Sequence, residues 1–135
     1  MTIFLDVNIV MYAAGGSHAF QGPSQRLLER AARGELELIS DVEILQEVLY
    51  RFWHIRRMPD GEQMVRHVIT LIPLLPVHPN DALLAARLLS QQPSIEPRDA
   101  IHAAVMLNHG LTHLYSYDRH FDLIPGLTRL EPSEK

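Results

Sequence analysis

The stretch Thr2-Ile3-Phe4-Leu5-Asp6-Val7-Asn8-Ile9-Val10-Met11-Tyr12-Ala13 decides how the rest of the chain is read. Ile3 to Leu5 is short, apolar and β-prone, and it stops at an acid. The next residues, Val7 to Ala13, run on to Gly15-Gly16. Asp6 is placed to cap a helix there, so the pattern predicts a strand running directly into a short helix. A chain that opens this way and then alternates strands with helices builds a parallel sheet covered on both faces.

The alternation continues to the C-terminus. Pro23 opens a helix over 23–33, closed by Gly34, and 36–39 alternates as a second strand. Ser40 or Asp41 caps a long helix carrying Ile44, Leu45, Val48, Leu49 and Phe52 at helical spacing. Pro59-Asp60-Gly61 predicts a chain break, followed by a helix from about Glu62 to Leu71 and a strand over 74–77. Helices are expected over 79–90 and from Pro97 to about Asn108, then a strand over 112–116. A helical turn at 119–121, a small strand at 127–130 and a frayed tail over 131–135 complete the chain. The expected fold is a single α/β domain over 1–135, with a short parallel sheet of four to five strands flanked by helices.

Composition narrows the chemistry. The chain has 135 residues, 47% hydrophobic and 21% charged, which suits one globular core and argues against disorder. The absence of cysteine excludes disulfides, thiolate metal sites and cysteine nucleophiles, and fits a reducing cytoplasm. The first residues lack a basic segment and are not expected to form a secretory signal. No apolar run approaches the ~18 residues that would span a bilayer. A net charge of −4 opposes bulk nucleic-acid affinity unless the acids share a cation-binding pocket.

Asp6, Glu47, Asp99 and Asp118 each sit at the edge of an apolar stretch, where a solvated charge is not expected. Asp6 and Asp118 follow strands, Asp99 opens a helix, and Glu47 lies two turns into another, so all can reach the carboxyl rim of a parallel sheet. Grouped carboxylates repel, and a bound divalent cation is the usual compensation. Oxygen donors of this kind suit Mg²⁺ or Mn²⁺ and point to phosphodiester hydrolysis. Local alternatives exist for each acid. Asp6 can be a helix cap, Glu47 can pair with Arg51, and Asp99 can pair with Arg98 or stabilise a helix N-terminus. Asp122 can be a fifth acid, a cap or a surface charge.

Four segments carry a family resemblance: Phe4-Leu5-Asp6-Val7-Asn8; Ser40 with Glu47-Val48-Leu49; Arg98-Asp99-Ala100-Ile101-His102-Ala103-Ala104; and Tyr115-Ser116-Tyr117-Asp118-Arg119-His120-Phe121-Asp122. In this order and spacing, over nearly the whole chain, they are similar to PIN-domain ribonucleases of the VapC toxin type. The resemblance implies that Asp6, Glu47, Asp99 and Asp118 are catalytic and hold Mg²⁺ or Mn²⁺, with Asn8, Ser40, Ser116 and Asp122 in support. It also implies a toxin acting on RNA and held inactive by a cognate antitoxin protein, often as a homodimer-based complex.

Other readings are weaker. The eight histidines include His102, His109 and His113 but form no zinc-binding pattern, and read as surface or satisfied side chains. Arg51, Arg56 and Arg57 lie near Trp53 and His54 and either grip RNA phosphates or form a solvated face. Leu27, Leu28, Leu45, Leu49, Phe52 and Trp53 either all belong to the core or leave a groove for a partner helix. A catalytically silent module that binds RNA or protein is the alternative function, and a DNA exonuclease or flap nuclease is a poorer fit at this length.

Overall fold

Strand β1, Thr2–Leu5, lies at the centre of a five-stranded parallel sheet in a computed structural model that describes residues 1–133. It passes through Asp6 into helix α1 (Val7–Ala14), as the opening stretch predicts. Helix α2 (Gln21–Ala32), strand β2 (Glu37–Asp41), helices α3 (Glu43–His54) and α4 (Met58–Leu71) and strand β3 (Leu74–Leu75) follow. The second half comprises α5 (Pro79–Gln91), α6 (Pro97–Asn108), β4 (His113–Tyr115), a 3₁₀ turn (Arg119–Leu123) and β5 (Thr128–Leu130). The strand order is β3-β2-β1-β4-β5.

Two cores grow from adjacent residues of β1, because successive side chains of a strand face opposite sides. Phe4 packs with Leu114 and with α5 and α6 through Ala85, Leu88, Ala100, Ala103 and Ala104. Leu5 packs on the other face with Ile9, Leu27, Leu38, Ile44 and Val68, from α1, α2, β2, α3 and α4. The alanines of α6 let that helix lie close against the sheet. The chain builds outward from β1 through β2 to β3, then crosses to β4 and β5 on the other side. The strand order therefore reverses at β1 and β4, the place where open parallel sheets bind ligands.

Several boundaries differ from expectation. Ser40 and Asp41 end β2 rather than taking the N-cap position of α3, which falls to Val42. Pro59, Asp60 and Gly61 form the first turn of α4 rather than a break, and the chain turns instead at Arg56, whose φ is +60°. Proline is tolerated in a first turn, where its missing N–H has no intrahelical partner. Gly61 is needed for a second reason: a Cβ there would lie 2.7 Å from Phe52 Cβ on α3. Strand β3 is only two residues long, held between Pro73 and Pro76. In the tail expected to fray, Pro132 is buried and Glu131 Oε2 accepts a hydrogen bond from Arg129 (2.6 Å), while 134–135 lie outside the described residues.

Replacing Gly61 with alanine forces α3 and α4 apart. Overpacking of this kind costs about 1–3 kcal/mol, so thermal denaturation should show G61A melting several degrees below the parent. Gly16→Ala, where an added Cβ meets nothing within 4 Å, should leave that midpoint nearly unchanged.

Candidate active site

At the carboxyl ends of β1 and β4 a cleft of about 980 Å³ opens, lined among others by Asp6, Asn8, Glu47, Asp99 and Asp118. The parallel sheet explains the convergence. Asp6 directly follows β1, and its N–H donates to Tyr115 O at the end of β4 (3.0 Å). Ser116 and Asp118 follow β4, while α3 and α6 deliver Glu47 and Asp99 from opposite sides of the sheet.

Asp6 occupies the N-cap position of α1, yet its side chain makes no capping hydrogen bond. Its Oδ2 instead accepts from Ser116 Oγ at 2.6 Å. Ser116 Oγ also accepts from the Asp118 N–H (2.9 Å) and, more weakly, from Asn8 Nδ2 (3.5 Å). One buried hydroxyl thus uses its single proton and both lone pairs to tie Asp6, Asp118 and Asn8 together. Arg129 steadies this point from behind, donating from Nη1 to Ser116 O (3.0 Å).

The other acids are equally constrained. Glu47 makes no ion pair with Arg51 among the described residues; its Oε1 lies 3.8 Å from Arg98 Nε and its Oε2 3.2 Å from His102 Nε2. The ring's Nδ1 lies 2.8 Å from Asp41 Oδ2. His102 is 1% exposed and Asp41 fully buried, so a buried Asp41–His102–Glu47 chain joins β2, α6 and α3. Burial opposes a charge on His102, but hydrogen bonds to the two carboxylates outweigh it and raise the pKa well above the usual value. Asp99 Oδ2 accepts from the Glu96 N–H at 3.5 Å, the long end of a first-turn cap. His120 Nδ1 stands 3.3 Å from Asp118 Oδ1 and 3.6 Å from Asp99 Oδ2.

Concentrating acids here is unfavourable while they are charged. Burial, with Glu47 and Asp118 nearby, pushes Asp6 up to about 6, although His102 and the Ser116 hydrogen bond pull the other way. Asp99 also rises to about 6, through burial first and the neighbouring Asp118 second. Two groups of side chains offer one potential ligand atom each within 4.8 Å of one another: Asp6, Glu47 and His102, and Asp99, Asp118 and His120. Asn8 Oδ1, buried at the same cleft, has no hydrogen-bond partner among the described residues. Hard oxygen donors, raised pKa values and an unused amide oxygen together fit a divalent cation.

The structure does not bring every candidate to the cleft. Ser40 is buried behind it, donating to Leu5 O (2.7 Å) and fixing β2 to the end of β1. Asp122 pairs with Arg129 Nε at 3.0 Å. Arg51 and Arg57 line the cleft, whereas Arg56 belongs to a separate hollow with Trp53, His54, Met58 and Pro59. His109 and His113 are satisfied locally, by Val105 O and Thr112 Oγ1. His120, beside Asp118 and Asp99, and Asp41, beside His102, are neighbours of the acids that the sequence does not single out, except that His120 lies two residues from Asp118.

A family profile described as PIN domain matches residues 3–127. The chain belongs to the PIN-domain family. Ribonuclease VapC13 of Mycobacterium tuberculosis is 39% identical over 129 residues, covering 95% of this chain and 98% of the relative. Ribonuclease VapC23 from the same species is 28% identical over 116 residues, covering 86% and 92%. Among solved structures, VapBC2 from Rickettsia felis bound to a promoter DNA fragment superposes with a TM-score of 0.76 at 17% identity, covering 97% and 98%. M. tuberculosis VapC20, a Sarcin-Ricin loop cleaving toxin, gives 0.74 at 17% identity, covering 93% and 96%. The PIN-domain match spans all four carboxylates of the cleft. No helix among the described residues is long and apolar enough to cross a membrane.

The raised acids make stability depend on pH in a definite sense. An aspartate whose pKa is raised on folding favours the folded state while protonated, and that advantage is lost as pH climbs from about 4 through about 6. In EDTA at pH 7.5, Asp6→Asn should therefore be more stable than the parent, by on the order of 2 kcal/mol. The difference should vanish near pH 4, and denaturant titrations at the two pH values measure it.

Proposed function

We propose that this protein is a Mg²⁺- or Mn²⁺-dependent endoribonuclease, the toxin of a toxin–antitoxin pair. The observation that carries the proposal is the set of four carboxylates gathered in one cleft at the sheet's switch point, two of them destabilised as anions. Asp6, Glu47, Asp99 and Asp118 would hold the cation. When bound, the cation supplies Lewis acidity to the phosphodiester and lowers the pKa of a water molecule.

The chain's own residues do the positioning. Ser116 keeps Asp6 and Asp118 in register, and Asn8 Oδ1 offers a further acceptor beside them. Arg51 lines the cleft one helical turn beyond Glu47 and has no acidic partner among the described residues, so it is available to a phosphate of the bound strand. Arg57 is held by Asp60 at 2.7 Å and contributes less free charge. A module that only binds RNA or protein would not need four mutually repelling carboxylates gathered in one cleft.

RNA as substrate is supported by the relatives named as ribonucleases. An antitoxin partner is supported by the superposable VapBC assemblies. Leu49, Tyr50 and Trp53 are exposed on the outer face of α3, at 43, 54 and 65%, and provide apolar surface for that partner or for a second copy in a homodimer. The cytoplasm, where RNA is found, is the proposed site of action.

Purified protein should cleave a mixed RNA pool with Mg²⁺ or Mn²⁺ and not with EDTA. Asp99→Asn should lower turnover at least about 100-fold, since metal-assisted charge stabilisation is worth several kcal/mol. Metal-independent cleavage, or an undiminished D99N, overturns the proposal. Arg51→Ala should raise KM severalfold with little change in kcat, as expected for uniform binding of a flanking phosphate.

A further inference from the structure

His102 is the one buried histidine among the described residues, and the cation-binding role proposed for the carboxylates leaves it unused. Both ring nitrogens face carboxylate oxygens, Nδ1 to Asp41 Oδ2 at 2.8 Å and Nε2 to Glu47 Oε2 at 3.2 Å. Each nitrogen is thus placed to donate to a carboxylate oxygen, and both are directed at these partners rather than at open space. The ring is fixed on every side. Phe4 packs against it at 5.5 Å between centroids, and Asp41 is itself anchored, with Oδ1 accepting from the Glu43 N–H at 3.0 Å.

We propose that His102 is a positioning residue for Glu47, with Asp41 setting the ring through Nδ1 so that Nε2–H holds Glu47 Oε2 in place at the cleft. The other oxygen, Oε1, then stays on the side of Arg98, which lines the cleft. A glutamate on a helix has three rotatable bonds, and without this contact its carboxylate could swing toward solvent or toward the exposed Arg51. Stability alone does not account for the network. Replacing a buried ion network by well-packed apolar groups is often neutral or stabilising, so what this one contributes is geometry. The proposal rests on the metal-nuclease reading and adds the device that fixes one of its four ligands.

Side-chain amides separate the two ring nitrogens. An asparagine amide reaches the position of Nδ1 and a glutamine amide that of Nε2. His102→Asn therefore keeps the bond to Asp41 and loses the one to Glu47, and His102→Gln does the reverse. Asp41→Asn is combined with H102Q if the buried carboxylate left without its partner prevents folding. Mn²⁺ affinity, read by electron paramagnetic resonance, and single-turnover cleavage of single-stranded RNA are measured for each. H102N should lose about 10–100-fold in both, the range for removing a residue that orients a metal ligand. H102Q, alone or with D41N, should stay within about threefold of the parent. Equal losses in both variants, or a fully active H102N, overturn the proposal.

A measurement on the unmodified protein serves if neither variant folds. The imidazole Nε2–H, observed by ¹H–¹⁵N correlation, should be protected from exchange and should shift on adding Mg²⁺. An Nε2–H that exchanges freely, or ignores Mg²⁺ that is seen to bind, also overturns the proposal. Failure of the native protein to bind Mn²⁺ would instead remove the nuclease reading, leaving the Nε2–H hydrogen bond intact.

Discussion

Repulsion among like charges gathered at one edge of the sheet is the constraint around which this molecule is arranged. Asp6 and Asp99 are 7 and 4% exposed, and each lies near other carboxylates. In the chain itself the opposition is met by a small set of donors. Ser116 donates a hydrogen bond to Asp6, and the buried His102 ring stands between Asp41 and Glu47 with its pKa raised by both. Arg98 and His120 stand at the outer side. Each donor fixes an acid as it offsets the charge, so the compensation and the geometry of the site are one feature.

The parallel sheet makes this concentration possible. Strands running the same way bring their carboxyl ends to one edge, so acids far apart in sequence meet without a long loop. Helices pack on both faces of the sheet, and the cleft opens at that edge. Phe4 and Leu5 show how directly site and core are coupled: the two residues seeding the opposite cores immediately precede Asp6. Disturbing either core moves the first carboxylate of the cleft.

Much of this was legible because it is written locally. Ile3 to Leu5 ending at Asp6, proline at the openings of α5 and α6, and Asp118 following a short apolar run are patterns of a few residues, and the fold respects them. Features depending on distant partners were not legible. Local spacing offered Arg51 as one partner for Glu47, but α6 supplies Arg98 and His102 from some fifty residues away, and those are the contacts made. Nothing next to His102 distinguishes it from the other histidines; its partners sit on β2 and α3. Asp41 looked like one of two possible caps, and Asp122 like a possible fifth acid until Arg129 appeared beside it. Pro59-Asp60-Gly61 has turn composition, yet the same residues suit a first helical turn packed tightly against Phe52.

The two-residue strand β3 between Pro73 and Pro76 has a consequence for how this molecule meets others. An exposed sheet edge is a template on which another polypeptide can add a strand. Here that edge is short, and flanking prolines remove backbone donors on either side. The opposite edge, β5, is three residues long and is followed by the buried Pro132. Backbone pairing therefore has little to grip at either end of the sheet, which guards the protein against fibrous self-association. Recognition is left to side chains on the helices and around the cleft, surfaces that can vary between related chains while the sheet stays the same.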